Sequence, residues 1–397
     1  MKILIITQYF YPETFRVNAL CEELVLRGHE VTVLTGYPQY PYGKIYDGYG
    51  FNKAYEKQYK GAKVCRIKML PRGKTPIGLF LNCASFVFWG NKWVKKCTDK
   101  YDAIYVFEVS PVTVGLPAVN YKEKFGTPIF FNVQDLWPEN VEVIMGIKNK
   151  IVISTINKIV DKIYENSDRI LCSSNGFIDN ISKRGVNEEK LVFWPQFCNE
   201  PDLENISRPA MLSTETFNVV FTGNVGKSQG LDILIKAMKE LKKEKVHCYV
   251  VGDGNMLDVL KNLSKDIGVS DVVKFAGKVS EHEANEYVKF ANVAYLSLVD
   301  NVVMDMTIPA KLQTYLSCGT PVLAAVNGEC ADIIRNNQCG VCVGKTEKDI
   351  SNAILNLKDQ DKQYLENMGN NARLYYNECF NKEKLVDKLE NIIRSVQ

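Results

Sequence analysis

The chain has 397 residues, of which 46% are hydrophobic and 24% are charged, so it is long enough for two or three domains with cores of their own. The formal net charge of +3 excludes the strongly basic balance that is typical of nucleic-acid-binding proteins. Twelve cysteines spread over this length exclude a small disulfide-stapled scaffold and indicate free thiols. The short apolar start predicts no signal peptide, and no charge-free apolar run reaches the roughly 20 residues of a membrane span, which together predict a cytoplasmic protein.

The first half of the chain alternates strand patterns with helix patterns. It opens with residues 3–6, a β-branched and leucine run of the kind that is buried on both faces of a parallel sheet. A helix pattern over residues 17–25 follows, and Gly28 gives the expected helix stop. Further strands are predicted at residues 31–34, 64–69, 103–107, 129–133, 170–173 and 191–194. This alternation predicts βαβ units and a doubly wound parallel sheet.

A basic segment interrupts this alternation at residues 51–100, which hold twelve Lys or Arg and two acidic residues. Inside it, residues 75–94 predict a helix with apolar side chains all round, which is typical either of a buried core helix or of a membrane-associated one. Basic residues close to this helix could bind anionic lipid or a diphosphate group. They are Arg72, Lys74, Lys92, Lys95 and Lys96.

Residues 195–216 contain three prolines among polar residues and show neither the strand nor the helix spacing of apolar residues, so they predict a linker. After it the alternation restarts, with strands predicted at residues 219–222, 246–251, 272–276, 293–298, 322–325 and 341–343. The sequence therefore predicts two α/β domains. Their bounds are 1–195, a hinge at 196–216, 217–380, and a C-terminal helix at 381–397 that could pack back on the first domain.

The strongest local motif is a glycine-rich turn that follows the strand at 219–222 and leads into a helix predicted over 231–241. A strand, a glycine turn and a helix offer backbone N–H groups and a helix dipole to an anion. Its residues Gly223, Asn224, Gly226 and Lys227 are candidate anion ligands. The turn is not a P-loop, because Phe221 occupies the position of the first glycine, and its spacing does not fit the dinucleotide fingerprint. The alternative is a tight turn whose glycines serve the backbone alone.

A second candidate anion site is the helix start at residues 307–316. Pro309 suits the first helical turn, and Lys311 would then place an ammonium beside free N–H groups. Two helix starts with Lys227 and Lys311 suit a diphosphate. The alternative for Lys311 is a solvated surface lysine. Cys339 and Cys342 supply two of the four ligands that zinc needs, so they predict buried strand cysteines and no metal site.

Five segments together resemble the family 4 glycosyltransferases of GT-B fold, especially the WbuB-like transferases of capsule and O-antigen synthesis. They are residues 6–13, 27–33, 133–139, the glycine turn at 223–230, and 308–312. The resemblance implies two Rossmann-like domains facing across a cleft, with a UDP-sugar on the C-terminal domain and a lipid-diphosphate-linked saccharide on the N-terminal one. It also implies transfer of an amino sugar with retention of configuration, and neither metal nor cofactor.

The resemblance also implies roles for single residues. Donor contacts are expected at Gly223, Asn224, Gly226, Lys227, Lys278, Pro309, Lys311, Thr314 and Glu329, and acceptor contacts at Tyr11, Glu13 and Arg16. Many family members have two glutamates that hold the sugar and the ribose, where this chain has Met306 and Thr314. None of the three histidines follows the fourth or fifth strand, where many members have one.

Asp135 stands at the end of the strand at 129–133, where open α/β sheets bind their ligands, so it is the first candidate for the reaction centre. Glu139 is the second candidate. The alternative role for Asp135 is to cap the helix that follows.

The predicted protein is thus a glycosyltransferase on the cytoplasmic face of the membrane, held there by the basic segment. The alternatives are a UDP-sugar epimerase or hydrolase of the same fold, a sugar-binding protein without catalysis, and a P-loop NTPase. The paucity of histidine argues against the epimerase, the missing secretion signal against a periplasmic binding protein, and Phe221 against the NTPase.

Overall fold

A computed structural model describes residues 1–51, 53, 56–73, 75–143, 146–198 and 200–396, so Lys74 of the basic segment lies outside the described residues. The chain divides into two compact units. The first comprises Met1–Pro195 and Leu385–Gln397, and the second comprises Gln196–Lys384. Each unit has its own sheet of parallel strands connected by helices, which confirms the predicted α/β fold class.

The sheet of the first unit has the order β3-β4-β2-β1-β5-β6-β7-β8, and all neighbours are parallel except β3 and β4. Its strands are β1 (Lys2–Thr7), β2 (Glu30–Thr35), β3 (Gln58–Tyr59), β4 (Ala62–Arg66), β5 (Ala103–Glu108), β6 (Ile129–Val133), β7 (Arg169–Cys172) and β8 (Leu191–Phe193). The central strands β1, β5 and β6 are buried along almost their whole length, as their continuous apolar runs predict.

The helices of the first unit return the chain between these strands. They are α1 (Arg16–Leu26), α2 (Pro76–Lys96), α3 (Leu116–Phe125), α4 (Glu139–Val143), α5 (Lys150–Asn166) and α6 (Asn175–Ser182). The sequence sets several of their starts, because the side chains of Thr75, Asn149 and Ser174 accept hydrogen bonds from backbone N–H groups in the first turns of α2, α5 and α6.

The sheet of the second unit has the order β11-β10-β9-β12-β13-β14 and is parallel throughout. Its strands are β9 (Phe217–Thr222), β10 (Val246–Val251), β11 (Val273–Gly277), β12 (Val293–Ser297), β13 (Val322–Ala325) and β14 (Gly340–Cys342). Its helices are α7 (Leu231–Ala237), α8 (Leu257–Asp266), α9 (Glu281–Lys289), α10 (Val302–Asp305), α11 (Ala310–Ser317), α12 (Gly328–Asn336), α13 (Glu347–Lys358) and α14 (Lys362–Cys379).

The last helix, α15 (Lys382–Arg394), belongs to the first unit from Leu385 onward. The Leu385 carbonyl accepts a hydrogen bond of 2.9 Å from the indole Nε1 of Trp194. Farther along the helix, Glu390 Oε1 lies 2.6 Å from His29 Nε2. His29 therefore has a structural role. Helix α15 is fixed to His29 near the start of the first unit and to Trp194 near the end of its first 195 residues.

Some predicted boundaries were wrong. The helix after the glycine turn ends at Ala237 and continues as turns, although Leu241 remains fully buried, so its apolar spacing resembled that of a longer helix. The strand predicted at 64–69 is β4 and ends at Arg66, while the two-residue strand β3 carried no detectable pattern.

Helix α2 is not buried on all sides, which excludes a core helix. One face, with Asn82, Phe86, Gly90 and Val94, is buried. The other exposes Ile77, Phe80, Leu81 and Phe88, which are 45–72% accessible. Among the described residues, none of the helices combines the length and the hydropathy needed to cross a membrane.

Candidate functional site

The glycine turn of the second unit lies against a second glycine turn that the sequence analysis did not single out. Gly223 N donates to Val251 O at 2.9 Å, and Val225 N donates to Asp253 O at 2.9 Å. A Cβ on Gly252, whose φ is +141°, would lie 1.8 Å from Gly223 O, so no larger residue fits there. The signal for this second turn was present as Gly252-Asp253-Gly254 directly after β10.

Lys311 meets the first glycine turn, because a Cβ on Gly223 would lie 3.9 Å from Lys311 Cε. Its Nζ donates to the amide oxygen Oε1 of Gln229 and lies 4.2 Å from the centroid of the Phe221 ring. Among the described residues no carboxylate pairs with this ammonium. Burial lowers the pKa of Lys311 to about 7. The phenylalanine that excludes a P-loop therefore forms the apolar face beneath a lysine.

Tyr315 fixes this arrangement from the next turn of α11. Its hydroxyl accepts a hydrogen bond of 3.0 Å from Thr222 N and donates to Tyr295 O at 3.2 Å. The phenol is fully buried, so α11 is held against the ends of β9 and β12. Tyr315 is thus a positioning residue for Lys311 that the sequence analysis missed, because a tyrosine in a helix resembles an ordinary core residue.

The structure adds two details at the predicted anion site. Lys227 is exposed and begins a 3-10 turn, Lys227–Gln229, because Gly230 adopts a φ of +57° before α7 starts at Leu231. Pro309 is the N-cap residue of α11, with extended backbone, rather than a residue of its first turn. Lys311 thus lies in the first turn of α11, and Lys227 precedes the start of α7 by four residues.

The other predicted donor residues lie at the same end of the sheet. Lys278 is exposed directly after β11, whose Gly277 carbonyl accepts a hydrogen bond of 2.8 Å from Gly252 N. Glu329 lies in the first turn of α12, and both it and Lys311 are within electrostatic reach of the buried thiol of Cys330. Thr314 is half-buried one turn after Lys311. Asn224 and Gly226 belong to the first turn.

In the first unit, Asp135 lies just beyond β6 and is held by the neighbouring strand connection. Its Oδ2 accepts hydrogen bonds from Ser110 N at 3.0 Å and from Ser110 Oγ at 2.5 Å. It does not cap α4, which begins four residues later at Glu139. Glu139 Oε2 is buried without a hydrogen-bond partner among the described residues. The structure thus gives Asp135 two donors from Ser110 in place of the predicted alternative role as a helix cap.

A second carboxyl, which the sequence analysis missed, lies beneath Asp135. Glu108 ends β5, is fully buried, and accepts hydrogen bonds at Oε2 from the backbone N–H groups of Gln134 and Asp135, both at 3.2 Å. Burial raises the pKa of Glu108 well above its ordinary value, and the nearby charge of Asp135 raises it further. The strand pattern at 103–107 stopped one residue short of this side chain.

The predicted acceptor residues Tyr11, Glu13 and Arg16 lie in or after the connection from β1 to α1. Tyr11 is 41% exposed and packs against Tyr59, with ring centroids 4.9 Å apart and the ring planes tilted by 36°. Arg16 is half-buried at the start of α1.

Glu13, the second predicted acceptor contact, already has partners within the chain. It is 3% exposed, and its two oxygens accept backbone N–H groups from Phe10 at 3.2 Å and from Gln39 and Tyr40 at 2.7 Å. These bonds use its carboxylate to brace two connections at one end of the sheet. Among the described residues, no group of three or more His, Cys, Asp or Glu is placed to hold a metal ion.

Two family models match consecutive parts of this chain. Residues 15–200 match the model described as Glycosyltransferase Family 4, and residues 203–375 match the model described as Glycosyl transferases group 1. A relative in Escherichia coli K12, named as a colanic acid biosynthesis glycosyl transferase (WcaI), is 21% identical over 339 residues, which cover 80% of this chain and 82% of the relative.

Solved structures of similar fold cover the whole chain. Sucrose-phosphate synthase from Thermosynechococcus elongatus superposes with a TM-score of 0.76 at 17% identity, covering 100% of this chain and 98% of that one. HepE of Anabaena, solved in complex with UDP-glucose, has a TM-score of 0.68 at 15% identity, with 100% of both chains covered. Both family models are glycosyltransferase models and together they cover most of the chain, so the chain is a glycosyltransferase of GT-B fold.

Proposed function

We propose that this enzyme transfers an N-acetylated amino sugar from a UDP-sugar to a polyprenyl-diphosphate-linked saccharide, with retention, in bacterial surface polysaccharide synthesis. The acceptor class is supported by the resemblance to WbuB-like transferases and by the relative named for colanic acid synthesis. The UDP donor is supported by the neighbour that was solved with UDP-glucose. The sugar type follows from the resemblance alone.

The observation that carries the donor assignment is Lys311, an ammonium held by an amide oxygen and an aromatic face beside a glycine turn. A cation without an anionic partner is poised for a ligand that brings negative charge, and a diphosphate does so. When the sugar leaves, charge develops on that diphosphate, so a contact from Lys311 would stabilise the transition state more than the bound donor. Lys227 and Lys278, both exposed, would add charge at the same end of the sheet.

The reaction centre is assigned to Asp135. Its carboxylate is oriented by the two Ser110 donors, and Oδ1 accepts no hydrogen bond among the described residues. A carboxylate of this kind can stabilise the positive charge that develops on the sugar or accept the proton of the attacking hydroxyl. Glu139 would act from the following helix start.

A donor and acceptor screen tests the proposal. The enzyme is given UDP-, GDP- and dTDP-sugars with and without a short diphospholipid glycan, and nucleotide release is measured. We expect UDP release that depends on the acceptor, with the sugar found on the glycan. Release of UDP without acceptor would indicate a hydrolase, and interconversion of the free sugar nucleotide would indicate an epimerase. The test variant is Lys311→Met, and its matched control is Lys362→Met, since the Lys362 side chain is 91% exposed on α14.

The membrane contact is assigned to the exposed face of α2, defined by Ile77, Phe80, Leu81 and Phe88. Basic side chains border this face, with Lys92 Nζ 4.6 Å from the Trp89 ring centroid. The exposed Tyr42 lies beside the same helix start, because the next residue, Gly43, accepts a hydrogen bond of 3.1 Å from Gly73 N. Apolar side chains with tyrosine and lysine around them suit the interface of an anionic bilayer.

Liposome co-sedimentation tests this contact. We expect binding that needs anionic lipid, weakens in part as salt rises, and is lost in the double variant Phe80→Glu, Phe88→Glu. Leu374→Glu on α14 is the control, because Leu374 is also exposed, at 61%. Recovery of the wild type in the supernatant under every condition would contradict the membrane assignment while leaving the transferase assignment to the screen.

A further inference from the structure

Glu108 supports the chain at the point where Asp135 begins its loop. Gln134 N is shared between the Glu108 carbonyl oxygen at 3.1 Å and the Glu108 carboxyl oxygen Oε2 at 3.2 Å, and Asp135 N donates to the same Oε2 at 3.2 Å. The register of β5 and β6 places Glu108 opposite Val133, two residues before Asp135. The Glu108 carboxyl at the end of β5 thus fixes the backbone that follows β6.

The surroundings of Glu108 favour a neutral carboxyl. The side chain is fully buried, and its second oxygen, Oε1, has no hydrogen-bond partner among the described residues. Asp135 and the phenol of Tyr164 are the titratable groups in electrostatic contact with it, and the indole of Trp137 faces it. The Tyr164 phenol is in turn within electrostatic reach of Cys172, Arg184 and Glu139. Burial and the neighbouring Asp135 raise the pKa of Glu108, while the backbone N–H groups of Asp135 and Gln134 oppose this in part. A proton would sit on Oε1, since Oε2 already accepts two N–H groups.

We propose that Glu108 is a positioning residue for the glycosyl transfer: as a neutral carboxylic acid it fixes the backbone of Asp135 and leaves the negative charge on the Asp135 carboxylate. Negative charge on one of two adjacent carboxyls is stabilised best on the member that receives more hydrogen bonds and more water. Asp135 is that member, because Ser110 donates to it twice and it is only half-buried. The inference rests on the proposed placement of Asp135 at the reaction centre.

Two substitutions distinguish a neutral Glu108 side chain from an ionised one. Glu108→Gln keeps a neutral side chain with an oxygen acceptor, whereas Glu108→Leu keeps a similar volume without the acceptor. We expect Glu108→Leu to lower kcat about 100-fold, because misplacement of a reacting group by about 1 Å costs that much. Affinity for UDP should stay within about twofold, as the donor contacts lie on other elements. Glu108→Gln should restore kcat to within about threefold of the wild type, with the same pH profile.

An infrared difference spectrum between wild type and Glu108→Gln gives a readout without turnover. We expect the carbonyl band of a protonated carboxylic acid at neutral pH in the wild type, absent from the variant. The absence of that band, a Glu108→Gln variant as impaired as Glu108→Leu, or a folded Glu108→Leu variant with wild-type kcat would each overturn the proposal. Failure of every UDP-sugar in the screen would instead contradict the proposed function, and the infrared test would stand by itself.

Discussion

The two candidate sites surround their charged groups in opposite ways. Lys311 in the second unit is enclosed by an aromatic ring and an amide oxygen, and its pKa is lowered to about 7. Asp135 in the first unit is half-buried and receives an N–H and an O–H from Ser110. The first charge is poorly compensated by the protein, while the second is well compensated.

This difference matches the roles proposed for the two sites, which are donor binding for Lys311 and reaction for Asp135. A partly buried cation without a counter-charge has a desolvation cost that an incoming anion can relieve. That relief adds to the affinity for the anion. A carboxylate that already accepts two hydrogen bonds has a fixed orientation before any substrate arrives, which is what a reacting group needs. The predictions below test whether the two charges differ in this way.

The largest effect is expected from Lys311→Met, which removes the charge and keeps most of the side-chain volume. We expect kcat/KM for the donor to fall about 100- to 1,000-fold, since loss of one preorganised contact to developing charge costs that much. Steady-state assays beside Lys362→Met measure it, with circular dichroism to check the fold. Turnover equal to that of Lys362→Met would make Lys311 an ordinary surface lysine.

Substitutions at the Asp135 site should lower kcat more when they remove the carboxylate than when they remove one of its hydrogen-bond donors. Asp135→Asn should lower kcat about 100-fold, whereas Ser110→Ala removes one of the two donors and should lower it about tenfold, the usual range for a hydrogen bond to a charged group. Affinity for UDP, measured by calorimetry, should hardly change in either variant. A tenfold loss of UDP affinity in Asp135→Asn would place this carboxylate in donor binding instead.

The pH dependence of donor binding follows from the lowered pKa of Lys311. Above about pH 7 the free enzyme loses the ammonium, so kcat/KM for the donor should fall about tenfold per pH unit, and binding near pH 8 should take up a proton. Calorimetry in buffers of different ionisation enthalpy measures the uptake. In Lys311→Arg the guanidinium stays charged, so kcat/KM for the donor should no longer fall above pH 7.

Stability should change with pH in the opposite direction. Because the pKa of Lys311 is about 7 when folded and 10.5 when unfolded, the unfolded chain binds more protons between these values. The free energy of unfolding should therefore rise with pH in that window for the wild type relative to Lys311→Met. Denaturant unfolding of both proteins at pH 7 and pH 9 measures the difference, and an equal dependence on pH would contradict the lowered pKa.

The smallest effect is expected from chelation. If lysines and backbone N–H groups supply the counter-charge for the diphosphate, excess EDTA should change turnover by less than about twofold. A complete loss that Mg²⁺ or Mn²⁺ restores would show that the Lys311 site needs a metal partner, and the contrast between the two sites would no longer hold.

The sequence by itself determined the elements and their order. Continuous apolar runs such as residues 3–6 predicted central strands, Gly28 ended the first helix, and Thr75 began the long one, because burial on a sheet, left-handed backbone and capping depend on residues within one turn of each other. The alternation of these elements was enough for the fold class. It was also enough to draw attention to Asp135 and Lys311, since loops at the carboxyl ends of parallel strands form the binding sites of open α/β sheets.

The tertiary structure decided what those residues contact. Lys311 meets Gln229, 82 positions away, and Asp135 meets Ser110, 25 positions away, because strand order rather than sequence spacing sets which loops are neighbours. For the same reason Glu108 could not be recognised from its position as the last residue of a strand. Its role depends on the register with β6, and the state of its proton depends on burial, which no local pattern encodes.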